Sequence, residues 1–95
     1  MGFMIKPRKR IFTLYTSKYK NISDCNNAKN ALSKILNDFE EINEEYVFDP
    51  DYIENFPVLE IVERDNNKMR LHAYRGLKEI RYFITEFYKI ESQKP

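Results

Sequence analysis

The apolar residues of this chain change their spacing along its length, and this change limits the folds open to it. Residues 11–15 are dense in β-branched and aromatic side chains, which is typical of a strand. Apolar side chains then recur at steps of three and four, the spacing of an amphipathic helix, at Ala28, Ala31, Leu32, Ile35 and Leu36. Ser23 or Asp24 can cap this helix, and Cys25 shares its inward-facing stripe.

A second strand and a short helix are predicted next. Residues 39–43 alternate apolar with polar side chains. Asp49-Pro50 indicates a helix start, because the carboxylate can cap and the proline lacks an N–H group that would stay unpaired in the first turn. The helix should end by about Asn55, because Pro57 disfavours a helical conformation at the residue before it.

The last third of the chain predicts a hairpin and a long helix. Residues 58–62 form an apolar run, and residues 65–68 carry turn-forming side chains. Apolar and polar side chains then alternate, which predicts one buried face formed by Met69, Leu71 and Ala73. Gly76 ends the hairpin. The helix after it has an apolar stripe of Leu77, Ile80, Phe83, Ile84, Phe87 and Tyr88.

This order, β-α-β-(short α)-β-β-α, predicts an α/β fold in which a mixed four-stranded sheet is packed with helices. We expect one domain over residues 10–90, a basic N-terminal segment over residues 1–9 and a C-terminal tail over residues 91–95. The basic side chains of the N-terminal segment are interpreted as solvated, with an organelle-targeting remnant or a contact with an acidic partner as alternatives.

Charge and cysteine content narrow the classes of function. Sixteen basic and fifteen acidic residues leave a net charge of +1, so no overall field favours nucleic acid or an anionic membrane. No run of about twenty apolar residues predicts a membrane span. The single cysteine, Cys25, excludes an internal disulfide and favours an intracellular reducing compartment, either the cytoplasm or an organelle matrix. His72 has no second imidazole at metal-ligand spacing and is interpreted as a residue on the surface or on a sheet face.

Several short patterns follow one another in a familiar order. LYT ends the first strand, CNNAK begins the first helix, FPVL leads into the third strand, and YRGLKEIRYFI covers the last strand and helix. Together they resemble the thioredoxin fold, and more closely the small glutaredoxin-like proteins, over about residues 10–90. The resemblance implies a thioredoxin-like fold and thiol-disulfide oxidoreductase chemistry.

The resemblance also implies a degenerate C-x-x-C motif. In the family the first cysteine of this motif is the nucleophile and begins the first helix. Counting back from CNNAK puts Cys25 at the second position and Ile22 at the first, whereas counting forward from LYT puts Lys20 at the attacking position. Cys25 is therefore the candidate catalytic residue, for a monothiol reaction through an exposed thiolate. A structural or vestigial small residue is the alternative for Cys25.

The resemblance implies a substrate-binding groove as well. It places a cis peptide between Phe56 and Pro57, with the backbone before the proline pairing with substrate; an ordinary proline at the start of a strand is the alternative. Arg75 and Gly76, in the turn after the fourth strand, complete the candidate substrate-binding residues. Glutathione is a doubtful ligand, because the family has two glycines and a nearby acid where this chain has Arg75-Gly76-Leu77. No cofactor is expected to be required.

Two functions stay open. One is a weak or monothiol redox protein that acts on protein thiols or disulfides through Cys25. The other is a non-catalytic module, or a subunit of a larger complex, that docks a protein segment in the groove formed by the SKYKNIS loop, Phe56-Pro57 and Arg75-Gly76. Whether the chain is an enzyme depends on whether Cys25 reacts.

Overall fold

The computed structural model describes residues 9–92, and the side chains up to Phe87. The elements in chain order are β1 (Lys9–Thr16), α1 (Ile22–Ile35), β2 (Glu40–Asn43), a one-turn 3-10 helix (Glu44–Tyr46), α2 (Pro50–Glu54), β3 (Val58–Asp65), β4 (Lys68–Arg75) and α3 (Gly76–Ser92). The predicted order of strands and helices is confirmed. Residues 1–8 of the expected N-terminal segment, residues 93–95 of the expected tail and the predicted stripe position Tyr88 lie outside what is described.

The strands form one mixed sheet in the order β2-β1-β3-β4. β1 and β2 are parallel, and the other neighbours are antiparallel. The helical crossover between β1 and β2 explains the parallel pair, and the tight turn between β3 and β4 explains the hairpin. The chain is thus an α/β protein with a mixed four-stranded sheet packed with helices.

One face of the sheet packs against α1 and α3 and holds the larger core. Leu14 and Leu59 of the sheet meet Leu32 of α1 and Ile80 of α3, and all four are fully buried. Aromatic rings extend this core, with Phe83 at 5.1 Å from the ring of Tyr74. The predicted inward stripe of α1 is confirmed in this core at Ala28, Leu32, Ile35 and Leu36, and that of α3 at its described positions.

The opposite face packs against α2 and the segments on either side of it. The second, smaller core consists of Cys25, Val47, Tyr52, Phe56 and Val58. The start of α2 is confirmed, because the Asp49 side chain accepts a hydrogen bond of 2.9 Å from the N–H group of Asp51. α2 has only five residues and therefore covers only part of this face.

This short helix explains an expectation that was wrong. Met69 and Leu71 were expected on a buried face, yet they are 66% and 59% exposed, and only Ala73 packs against the second core. Alternation correctly indicated that the three residues share a face. It carried no information on whether another element reaches that face.

The cap of α1 also differs from expectation. Neither Ser23 nor Asp24 caps the helix; the cap residue is Asn21, which adopts a left-handed conformation with φ 51°. Asparagine tolerates this region better than most residues. Its side chain makes no cap hydrogen bond, and its Nδ2 group instead donates to the Phe56 carbonyl oxygen.

None of the helices in residues 9–92 is long and apolar enough to cross a membrane.

Candidate functional site

The sequence-predicted site residues meet at one end of the sheet. β1 and β2 are parallel, so both finish at this end, and α1 starts there. β3 runs the other way and begins there, directly after Phe56-Pro57, and β4 ends there at Arg75. Binding sites of sheets with parallel strands commonly lie outside the carboxyl ends of those strands.

Cys25 lies in the first turn of α1, but it faces the protein interior. The side chain is 3% exposed, and its Sγ donates a hydrogen bond of 3.8 Å to the carbonyl oxygen of Lys20. Burial raises the pKa of the Cys25 thiol above its usual value; a backbone hydrogen bond from Ser17 opposes this shift and the charge of Asp24 adds to it. At neutral pH the group is therefore a buried thiol rather than an accessible thiolate.

The loop over Cys25, residues 17–21, is held by Ser17. The Ser17 hydroxyl oxygen accepts hydrogen bonds from the N–H groups of Tyr19 (3.0 Å) and Lys20 (2.8 Å). The same hydroxyl donates to Glu44 Oε1 at 2.8 Å, which ties the loop to the 3-10 helix. Sequence reasoning missed Ser17, although serine is a recognised turn residue because its hydroxyl can bond to backbone N–H groups two or three residues later.

Ile22 holds the first position of α1, where counting back from CNNAK places the attacking residue. The side chain is half exposed and aliphatic, so it offers no nucleophile. Other large apolar side chains are exposed on the loops at this end, including Tyr19 at 83% and Phe48 at 87%. We call the set of exposed side chains here the apolar rim, and it consists of Tyr19, Ile22, Tyr46 and Phe48.

The Phe56–Pro57 peptide bond is cis, as the resemblance implied. Both residues are buried, and both carbonyl groups already accept hydrogen bonds from within the chain. Asn21 Nδ2 donates to the Phe56 oxygen at 3.0 Å, and the Gly76 N–H group donates to the Pro57 oxygen at 2.7 Å. The backbone carbonyl groups of these two predicted substrate-binding residues thus bind other segments of the chain, at Asn21 and Gly76.

Arg75 and Gly76 connect the end of β4 to two helices. The Arg75 guanidinium forms an ion pair with Asp51 in α2 and lies 6.0 Å from the ring centre of Tyr52. The Arg75 N–H group donates to Glu79 Oε1 at 3.1 Å, which satisfies one backbone donor at the start of α3. Gly76 has φ +82°, a conformation that side chains other than glycine rarely adopt.

Glu60 is a carboxylate in a central strand that sequence reasoning passed over. Its Oε1 accepts from the Tyr15 hydroxyl at 3.2 Å, and its Oε2 accepts from the Tyr52 hydroxyl at 2.9 Å. Burial and then the charge of Glu60 raise the pKa of Tyr15 to about 12, and the pKa of Tyr52 moves in the same direction. The only sequence signal was a single acid within the apolar run VLEIV.

Across the described residues, no group of three or more His, Cys, Asp or Glu side chains is placed to hold a metal ion. His72 is exposed on β4, as interpreted from the sequence.

Comparisons of the chain with protein-family models, with curated proteins and with solved structures find no match. The glutaredoxin-like resemblance and the residue roles that it implies therefore stay predictions.

Proposed function

We propose that the chain is a non-catalytic binding module of thioredoxin-like architecture, which docks a protein partner on the apolar rim. The element order and the mixed sheet with helices on its faces are compatible with that architecture.

A contrast in exposure at this end carries the proposal. The one thiol of the chain, that of Cys25 in the first turn of α1, is 3% exposed. Tyr19 and Phe48, on neighbouring loops, are more than four-fifths exposed. A thiol exchange protein needs the opposite arrangement, with an accessible thiolate at the start of the helix. Exposed aromatic side chains on neighbouring loops of a fold are instead typical of interaction surfaces.

Hydrogen bonds to other segments of the chain hold the 17–21 loop, which carries Tyr19 of the rim. Ser17 joins the 17–21 loop to the 3-10 helix, and Asn21 joins it to Phe56. A surface held in this way loses little conformational entropy when a partner binds, which favours affinity. Because the Phe56 carbonyl is already engaged, the partner is expected to contact side chains of the rim rather than extend the sheet at Phe56.

Monothiol exchange through Cys25 is the second candidate function. Its position in the first turn of α1 favours it, because helix N-termini stabilise thiolates. The Cys25 thiolate would attack one sulfur of a partner disulfide, form a mixed disulfide and release the other sulfur as a thiolate. This reaction requires the 17–21 loop to open, since the thiol now bonds to the Lys20 carbonyl.

Thiol labelling separates the two candidates. With a chromogenic aromatic disulfide at neutral pH, we expect Cys25 to react only as fast as the protein unfolds, because its sulfur is buried. The matched control is the double variant Ile22→Cys/Cys25→Ser, which moves the thiol to the exposed first position of α1 and should react at once. Rapid labelling of Cys25 in the folded protein would instead support the monothiol reaction.

Partner capture tests the docking surface itself. The double variant Tyr19→Ser/Phe48→Ser should lose the partners that the natural chain retains in affinity purification, whereas Cys25→Ser should retain them. Tyr82→Ser is the matched control, because Tyr82 is a similarly exposed tyrosine on α3. Equal capture by the rim variant and by the Tyr82 control would contradict docking on the rim.

A further inference from the structure

A second candidate surface lies along β4, away from the rim. Among the described strands, β4 is the last in the sheet order and pairs with β3 alone. The pairing runs along all eight residues of β4, so the other side of its backbone faces away from the sheet over the same length, although the Arg75 N–H group already donates to Glu79. Such an edge is a template for an additional strand.

The side chains of β4 have a single sign of charge. The strand KMRLHAYR contains Lys68, Arg70 and Arg75 and no acidic residue. The acid directly opposite Arg70 on β3 is Glu63, which already forms an ion pair with Arg10 at 3.3 Å. Asp65 on β3 lies directly opposite Lys68, and Arg75 is paired with Asp51, so the positive charge of the edge is concentrated at Arg70.

An exposed apolar surface adjoins this edge on the side that α2 leaves uncovered. The register places Ile11 of β1, Val62 of β3 and Leu71 of β4 side by side in a row across the strands. Met69 lies next to Leu71 on the same face, two residues earlier along β4. We call these four residues the open apolar face. Ile11, Met69 and Leu71 are between 43% and 66% exposed. A row of this kind across three strands is larger than the isolated apolar side chains normal for a surface.

Positive charge also borders the open apolar face. Lys9 and Arg64 are directly opposite each other on β1 and β3, and both are exposed. Like charges in this position destabilise a strand pair, and a negative group between them would relieve the repulsion. The charge around the face thus matches the charge on the edge.

We propose that β4 and the open apolar face bind an extended acidic segment of another protein as a fifth strand. Side chains of an added strand alternate between the two faces of the sheet. Apolar side chains of the segment pack on Met69 and Leu71, and its acidic side chains lie beside Lys68 and Arg70 on the other face. Backbone hydrogen bonds to the free edge supply affinity, and the alternation supplies specificity.

The same charges disfavour a second copy of this chain as the occupant. Charged edge strands commonly prevent sheets from joining edge to edge. Pairing β4 with another β4 would bring basic strands together with no acidic residue on either strand. The edge consequently selects a partner of opposite charge.

A synthetic peptide tests the proposal on the full chain. The probe is a fluorescently labelled peptide of about eight residues with alternating glutamate and valine, the length of β4. Its control replaces every glutamate with lysine. Binding is followed by fluorescence anisotropy at low ionic strength, and the contact site is mapped by changes in backbone amide NMR signals. We expect the acidic peptide to bind, the basic peptide not to bind, and the changed amide signals to lie on β4.

Two variants and one control locate the site. Arg70→Glu and Leu71→Asp should each weaken binding of the acidic peptide by about tenfold or more, since each places an acid beside the peptide. Lys34→Glu on α1 makes the same charge change as Arg70→Glu at an exposed position away from β4, and should change affinity by less than about twofold. Retained NMR spectra show that each variant is folded.

Three outcomes would overturn the proposal. The acidic peptide does not bind, it binds equally well to the Arg70 and Leu71 variants, or light scattering shows a homodimer that these variants disrupt. The last outcome would assign the surface to a second copy.

Discussion

α1 and α3, with 14 and 17 residues, cover one face of the sheet, whereas α2, with five residues, covers only part of the other. The long helices arise from apolar stripes that continue over several turns. α2 is confined between Asp49, which caps it, and Pro57, which prevents its continuation. The covered face therefore holds the larger core, while the second face has the smaller core with the buried thiol at one end and an uncovered apolar surface at the other.

A matched pair of leucine substitutions tests this difference with the largest expected effect. Leu32→Ala removes a fully buried side chain between α1 and the sheet, so it should lower the free energy of unfolding by about 2–5 kcal/mol. Leu71→Ala makes the same chemical change at an exposed position and should cost no more than about 0.5 kcal/mol. Chemical denaturation of both variants measures these values. Similar losses in the two would mean that Leu71 is covered in the free protein.

Gly76→Ala should have an intermediate effect at the junction of the two faces. A Cβ at this position meets no atom within 4 Å, so the cost comes only from φ +82°. We expect a loss of about 1 kcal/mol in the free energy of unfolding. An unchanged value from denaturation would show that the backbone at residue 76 can relax to a conformation open to alanine.

The tyrosine pair around Glu60 gives the α2 face a pH dependence at high pH, and burial also raises the pKa of Tyr74 on the α1 and α3 face. The pKa of Tyr15 is raised from about 10 when unfolded to about 12 when folded, chiefly by burial. A raised folded pKa means that the stabilisation is fully present below about pH 10 and is lost as pH rises toward about 12.

Ultraviolet absorbance of the phenolate follows this titration. In the natural chain a fraction of the tyrosines should ionise only at the upper end of this range or together with unfolding. Glu60→Gln removes the negative charge but keeps a side-chain oxygen as acceptor, so that fraction should ionise at lower pH. Titration curves that coincide in the two proteins would contradict the role assigned to Glu60.

The smallest effect is expected on the apolar rim. Tyr19→Ser and Phe48→Ser alter side chains that are more than four-fifths exposed, so each should change the free energy of unfolding by less than about 0.5 kcal/mol. Thermal melting is sufficient to measure this. A marked loss of stability would show that these side chains pack in the free protein and are not a docking surface.

Local patterns predicted much of this fold, because spacing and caps act over a few residues. The stripe placed Cys25 on the inner side of α1 but left its exposure open, and Asp49-Pro50 predicted the start of α2. The cap of α1 could not be predicted in the same way, because the Asn21 side chain bonds to Phe56, 35 residues away. The exposure of Met69 and Leu71 depends on the reach of α2, which alternation in β4 does not encode.

The candidate site was predicted only in part. The topology does bring Cys25, Phe56-Pro57 and Arg75-Gly76 to one end of the sheet, since that follows from strand order. The role of Glu60 depends on Tyr15, 45 residues away, and the exposure of Tyr19 and Phe48 depends on loop paths that turn residues alone do not determine. Long-range contacts and loop paths of this kind determine which side chains at this end of the sheet are exposed to solvent, the Cys25 thiol or those of the apolar rim.

The rate at which the Cys25 thiol reacts with an aromatic disulfide at neutral pH, in the folded chain and in denaturant, separates a binding module from a thiol exchange protein. We expect slow reaction in the folded chain, limited by unfolding, and fast reaction in denaturant, with Ile22→Cys/Cys25→Ser fast in both. A folded Cys25 that reacts as fast as the thiol at position 22 would contradict a non-catalytic module and assign the end of the sheet to thiol chemistry.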